Sequence, residues 1–292
     1  MDLEFIYYLL YTFNIFFHDF FFNYYVSKDF IGFYRIVVCL SVLIYLSYSY
    51  KDILIFSDPN GIYNIDEFKA YEKDKSFFNV YSLSKNLNFH KLILILFYIF
   101  GGLSIIGLFT NISLIIFFIL FYSLQRRILP INASGGDTVA NIIFLCLILM
   151  NTGAGYSLDN ILFKNCTSDT VLAWPLRIIQ INISFGYFWA FLAKIQSEEW
   201  VRGVAIKNAV FFSPFGKKRI NLLKNDFFAR CAGFCIMSFQ FLSPLLFWVN
   251  EFRLIAIIWG IFLQILMMIC LRIGYFGPIM IAGLLSFLSY YF

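Results

Sequence analysis

The chain has 292 residues, 61% hydrophobic and 13% charged, with a net charge of +5. A soluble domain carries about 25% charged residues, so this composition excludes a water-soluble globule. Apolar runs near the ~20 residues that cross a bilayer as a helix instead point to an all-α polytopic membrane protein. The positive balance is not a nucleic-acid signal, because the basic residues sit in loops between apolar runs.

Residues 3–25, LEFIYYLLYTFNIFFHDFFFNYY, are aromatic but interrupted by Asn14, His18 and Asp19. Aromatic rings favour the membrane interface, and polar groups at mid-segment are costly in hydrocarbon. Residues 1–29 therefore read as an aromatic interfacial helix, with a true span as the alternative. Residues 30–292 read as a transmembrane domain of about eight spans plus interfacial helices. No charged n-region or small-residue cleavage site marks a cleavable signal peptide at the start.

Span 1 covers 30–49, with Arg35 near its start, and a polar loop follows over 50–90. Spans 2 and 3, at 91–109 and 112–125, form a hairpin expected to turn at Thr110 and Asn111. The loop QRRILPINASGGD leads to span 4, 138–154, and GAGYSLDNILFKNCTSD to span 5, 171–194. A basic loop, 195–226, precedes spans 6, 7 and 8 at 227–248, 254–271 and 275–291. The loops 50–90, 126–137 and 194–226, with Lys91 and Arg272, collect sixteen Lys and Arg, and the opposite side collects five. Basic loops stay inside, which places that side in the cytoplasm and the C-terminus outside.

Cys39, Cys146, Cys231, Cys235 and Cys270 lie inside apolar runs and Cys166 in a loop, so they read as small packing residues rather than a framework. Two distant histidines, His18 and His90, argue against a His/Cys metal site. The sequon NCT at 165–167 is a weak match.

Several charged residues invite two readings each. Lys194 closes span 5 in FWAFLAKIQSEEWVRG, residues 188–203. As an anchor it snorkels, its stem in lipid and its ammonium at the interface, where a cation suits the negative end of a helix. As a functional group it is a base, because burial favours the neutral amine. Glu198 and Glu199 could hold it as an ion pair instead. Asp137 in SGGDT serves as N-cap of span 4, and the glycines before it would admit an anionic headgroup to the helix start. Arg126 and Arg127 end span 3 as membrane-edge anchors. Arg35 falls about five residues into its span, where an ionisable group needs a partner or a cavity. Gln180, Asn182 or an acidic group near the outer face would supply one. Gln180, Asn182, Ser184 and Gln264 are polar groups within spans, serving helix contact or lining a cavity. Span 4 begins and span 5 ends on one side, so Lys194, Asp137 and Trp200 are expected together. A lysine flanked by that carboxylate binds a carbonyl or anionic group of a peptide, and a buried lysine without it is poised as a base.

In order, GFYRIVVCLSVLIYL, GLFTN, RRILPINASGGDT, GAGYSLD, FGYFWAFLAKIQSEEWVRGVAI and LQILMMICLRIGYFGPIMIAGLLSF resemble the HTTM (horizontally transferred transmembrane) domain family. That family includes the membrane part of vitamin K-dependent γ-glutamyl carboxylase, and the resemblance implies a quinone cofactor with Lys194 as the base that deprotonates it. By size the chain is similar to the sporulation-delaying protein B-type bacterial members. This likeness implies a bacterial cytoplasmic membrane, a small secreted antimicrobial peptide precursor and a companion maturation protein. Against the carboxylase reading, the chain ends after its last span without a large extramembrane portion. Gln264 stands where related sequences often carry a histidine, and Lys194 falls on the cytoplasmic side. Three functions are expected to compete: peptide maturation or export, a quinol-dependent carboxylase-like or oxidoreductase-like enzyme, and immunity or passive membrane structure.

Overall fold

Apolar runs free of charge fold as helices here because a backbone in hydrocarbon can bond only with itself. The computed structural model describes residues 3–48, 50–61, 64–73, 79–128, 135–163, 168–217 and 220–292. Helix α1, Leu3–Phe22, precedes α2, Lys28–Tyr48, and two short helices follow, α3 at Tyr50–Ser57 and α4 at Ile65–Lys73. Next come α5, Leu87–Ile106, α6, Thr110–Ile128, α7, Gly135–Leu149, and the short α8, Leu158–Phe163. Helix α9, Trp174–Ile195, is followed by α10, Glu198–Val201, and α11, Ala205–Lys207, which runs into a π-turn over Asn208–Phe212. The chain closes with α12, Asp226–Leu246, α13, Asn250–Cys270, and α14, Phe276–Leu285, extended by a 3-10 segment, Ser286–Tyr290.

Among the described residues α5, α6, α9, α12 and α13 are long and apolar enough to cross a membrane. Helix α7 and the stretch Phe276–Tyr290 are shorter apolar helices, and α2 is 21 residues long. Short connections make α5–α6, α12–α13 and α13–α14 hairpins. The short helix α14 sits centrally, packed against α2, α7, α9 and α13. The abundant phenylalanine fills the space between helices. Phe97, Phe117 and Phe144 join α5, α6 and α7 at ring distances of 4.9 and 5.4 Å. Phe247 stacks on Phe287 at 4.5 Å where α12 meets the end of the chain.

Helix boundaries depart from the apolar runs where local chemistry intervenes. The α5–α6 turn falls at Gly107–Phe109 rather than at Thr110 and Asn111, because Gly107 adopts the left-handed conformation (φ 70°) that ends a helix. Residues 171 and 172, expected as the start of span 5, belong to a strand instead. Strands β1, Tyr25–Ser27, and β2, Thr170–Leu172, pair antiparallel, making one small sheet among the described residues. Helix α9 then starts at Trp174 with Pro175 in its first turn, where the missing N–H costs nothing. Cys166, the sequon at 165–167, and Lys218 and Arg219 of the basic cluster lie outside the described residues.

Alternating helices gather their ends at two faces. The end holding the 196–225 segment is the basic end, and the end holding the sheet is the far end. At the basic end His90, 1% exposed, reaches Ser57 O and Ser84 O at 2.5 and 2.9 Å, which ties the polar loop to the start of α5.

Candidate functional site

At the basic end α9 runs out through Lys194, and the chain turns back at α10. The Lys194 ammonium lies 4.8 Å from the centre of the Trp200 indole, a cation–π contact worth about 0.5–2 kcal/mol. It also reaches Ala190 O at 3.5 Å, the helix carbonyl one turn back. Both side chains are half-buried. The neighbouring carboxylates are engaged elsewhere: Glu198 pairs with Arg202, and Glu199 accepts from Asn208 at 3.3 Å. Among the described residues no carboxylate lies within ion-pair reach of Lys194. Gly203 turns the chain with φ 74°, and a Cβ there would lie 2.3 Å from Cγ of Arg230. Only glycine lets the segment after Trp200 press onto α12 at that point.

The other candidates occupy different places. Asp137 is half-buried in the first turn of α7. It stands two residues after the helix begins rather than before it, where its charge suits the positive helix end. The structure brings Lys194 and Trp200 together but does not pair Lys194 with Asp137. Arg126 is half-buried at the end of α6. Its neighbour Arg127 is fully buried, donates to Asp58 O at 2.9 Å and lies 5.1 Å from the Phe68 ring. It therefore fastens the loop after α3 to α6 instead of anchoring at a membrane edge. Gln264, 4% exposed, donates from Nε2 to the Tyr187 hydroxyl at 3.1 Å, bridging α13 to α9, and its Oε1 has no hydrogen-bond partner.

Arg35 is fully buried at the far end. Its partners are carbonyl oxygens rather than Gln180. It donates to Thr152 O, to Tyr156 O at 2.6 Å and to Ile105 O at 3.3 Å. Asp159 stands close by and caps α6 from outside that helix. It accepts from the Phe109 N–H, the Thr110 N–H and the Thr110 hydroxyl, each at 2.7 Å. Burial raises the Asp159 carboxyl, but the Thr110 and Phe109 hydrogen bonds and the Arg35 charge outweigh it and hold the group below the usual carboxylate range.

Two far-end arginines escaped the reading of the sequence as site residues. Arg177 lies 3.7 Å from the Tyr24 ring centre and 4.5 Å from that of Phe20, and donates to Phe20 O and to the Tyr290 hydroxyl. Arg253, 3% exposed, lies 3.5 Å from the Tyr290 ring centre and donates to Phe247 O at 2.8 Å. The signal available was a charged residue near the start of an apolar run: each is the fourth residue of its helix, whereas Arg35 is the eighth of α2.

A cavity of about 280 Å³ lies between α12, α13 and residues 206–210 and 220–223, lined by apolar side chains and two cysteines. Lys194 does not line it, so a quinone ring held there would not meet the candidate base. The residues present do not fit that cofactor's chemistry at this cavity.

No curated protein and no solved structure matches the chain. The HTTM domain model matches residues 53–291, which takes in Lys194, Trp200, Asp137 and Gln264 and leaves Arg35 outside. With its apolar helices and this match over most of its length, the chain is an integral membrane protein of the HTTM domain family.

Proposed function

We propose that the chain is a maturation or export factor for a small secreted antimicrobial peptide, and that Lys194, seated on Trp200, engages the peptide at the basic end. The observation that carries this reading is an ammonium held by an indole and a helix carbonyl, with no carboxylate of its own among the described residues. Such a cation is open to a carboxylate or carbonyl of a passing chain; the same lack of a carboxylate is also what a base requires, so the test lies in substitution of the lysine. In this reading α2, α5, α6, α7, α9, α12, α13 and α14 are the eight spans and α1 lies in the interface. The membrane is the bacterial cytoplasmic membrane, with the basic end in the cytoplasm and the C-terminus outside. A companion maturation protein and the peptide precursor are the partners. The similarity in size to the sporulation-delaying protein B-type members supports the peptide as substrate.

The competing enzyme reading makes Lys194 a base, and substitution separates the two. Lys194→Arg keeps a charge but gives up a titratable amine, because a guanidinium stays protonated. Secretion of active peptide by cells carrying the gene, with folded yield as control, is the measurement. Retained secretion in Lys194→Arg with loss in Lys194→Ala is the expected result. Loss in both, with folding intact, would favour the base. Full activity of Lys194→Ala would end both functional readings of this lysine.

A further inference from the structure

We propose that the cavity between α12 and α13 is a binding site for an acyl chain of an anionic phospholipid, entered sideways from the bilayer. Its volume, about 280 Å³, lies just under the ~300–1,000 Å³ of small-molecule sites. The lining offers no polar side chain beyond cysteine sulfur, so it suits hydrocarbon and not water, which needs two or more polar partners.

The mouth opens on the outside of the bundle. Leu222 and Phe262 line it and are 55% and 56% exposed, and Cys235, also lining, is exposed. Helices α12 and α13 are both long and apolar enough to cross a membrane, so the surface between them is hydrocarbon-facing. The roof is held in place rather than collapsed onto the helices. Gly216 pairs with Leu271, the Lys217 N–H donates to Cys270 O at 2.8 Å, and Lys217 Nζ donates to Met268 O at 2.6 Å.

Charge selects the headgroup. Between Ala205 and Arg230 the described residues hold four lysines and arginines and one carboxylate, Asp226, and Asp226 is taken by Lys207 at 2.5 Å. Lys224 and Arg272, both exposed, directly follow the lining residues Leu223 and Leu271. A chain seated in the cavity therefore leaves its phosphate beside a cationic rim. This site is separate from Lys194, and its test does not depend on the peptide reading.

The native cysteines supply the test. Cys231 and Cys235 are both exposed and stand one turn apart on α12, but only Cys235 lines the cavity. The purified full chain in detergent is alkylated with a maleimide while phosphatidylglycerol or phosphatidylcholine of the same acyl chains is titrated in. The ratio of Cys235 to Cys231 modification is then read by mass spectrometry. Phosphatidylglycerol should lower that ratio about tenfold at roughly ten times its dissociation constant, and phosphatidylcholine should leave it unchanged. Removing rim charge with Lys224→Gln or Arg272→Gln should raise the concentration needed about fivefold per charge. Ala232→Phe, which fills the cavity, should abolish the effect. If that variant does not fold, Ala209→Leu fills it from the opposite wall. Equal protection by phosphatidylcholine, protection by a menaquinone but not by phosphatidylglycerol, or an unchanged ratio throughout would each overturn the proposal.

Discussion

Arg35, Arg177 and Arg253 are matched by backbone carbonyls near the C-terminal ends of helices: Ile105 O on α5, Phe20 O on α1 and Phe247 O after α12. The last carbonyls of a helix have no partner within it and carry partial negative charge, so a guanidinium with its forked donors satisfies several of them at once. Asp159 does the reverse at the start of α6, offering its oxygens to orphan N–H groups. Its lowered folded-state pKa fixes the sign of its contribution. The stabilisation is fully present above the unfolded value of about 3.9 and is lost as pH falls through the lower folded value. Asp159→Asn should destabilise the protein at neutral pH by about 1–3 kcal/mol. It should also remove the part of the acid-induced loss that falls below that unfolded value, both read from thermal unfolding in detergent at a series of pH values.

Among elements, the seat of α2 against the turn after α7 is the tightest backbone contact described above helix level. A Cβ on Gly155 would lie 1.9 Å from Lys28 O, and one on Gly32 would lie 2.1 Å from Gly155 O. Two glycines facing each other let α2 and this turn touch backbone to backbone, and Arg35 closes the contact by reaching Thr152 O and Tyr156 O on the same turn. Gly155→Ala should cost about 1–3 kcal/mol by pushing the turn away, and Arg35→Leu about 1–3 kcal/mol by orphaning its carbonyls. Because a displaced turn already deprives Arg35 of its partners, the double variant should lose less than the sum. Strict additivity in a double-mutant cycle would show that the glycine contact and the arginine act apart. The helices themselves were legible as apolar runs: Lys28–Tyr48, Leu87–Ile106 and Asn250–Cys270 fall within a few residues of the expected spans. The partners of Arg35 were not legible, because carbonyls carry no sequence signature and these lie 70 to 121 positions away. Arg127 read as an edge anchor for the same reason, since its acceptor is the backbone of Asp58. Lys194 and Trp200 were legible together because they are near neighbours in the chain, whereas relating Lys194 to Asp137 required the packing of α7 on α9.

For the whole molecule, the distribution of Lys and Arg implies a single orientation. Introduced one at a time in a cysteine-free background, Val80→Cys and Phe215→Cys should react with an impermeant maleimide only after the cytoplasmic face is exposed. Phe163→Cys, at the exposed end of α8, should react in intact cells. Labelling of position 163 only from the cytoplasm would invert the arrangement and move Lys194 to the outer face. The guanidinium–carbonyl pairs at the far end have a consequence for a membrane that maintains a proton gradient. Arginine keeps its proton throughout the biological range and a peptide oxygen has none to exchange, so these fastenings are indifferent to acidity on either side. Of the contacts that secure the far end, those made by Asp159 and the Lys28–Asp169 ion pair depend on ionisation, and both carboxylates are held below the usual range, so they give way only in strong acid. Energising or discharging the membrane should therefore leave the far-end frame unmoved, so that any response to the gradient arises elsewhere in the protein.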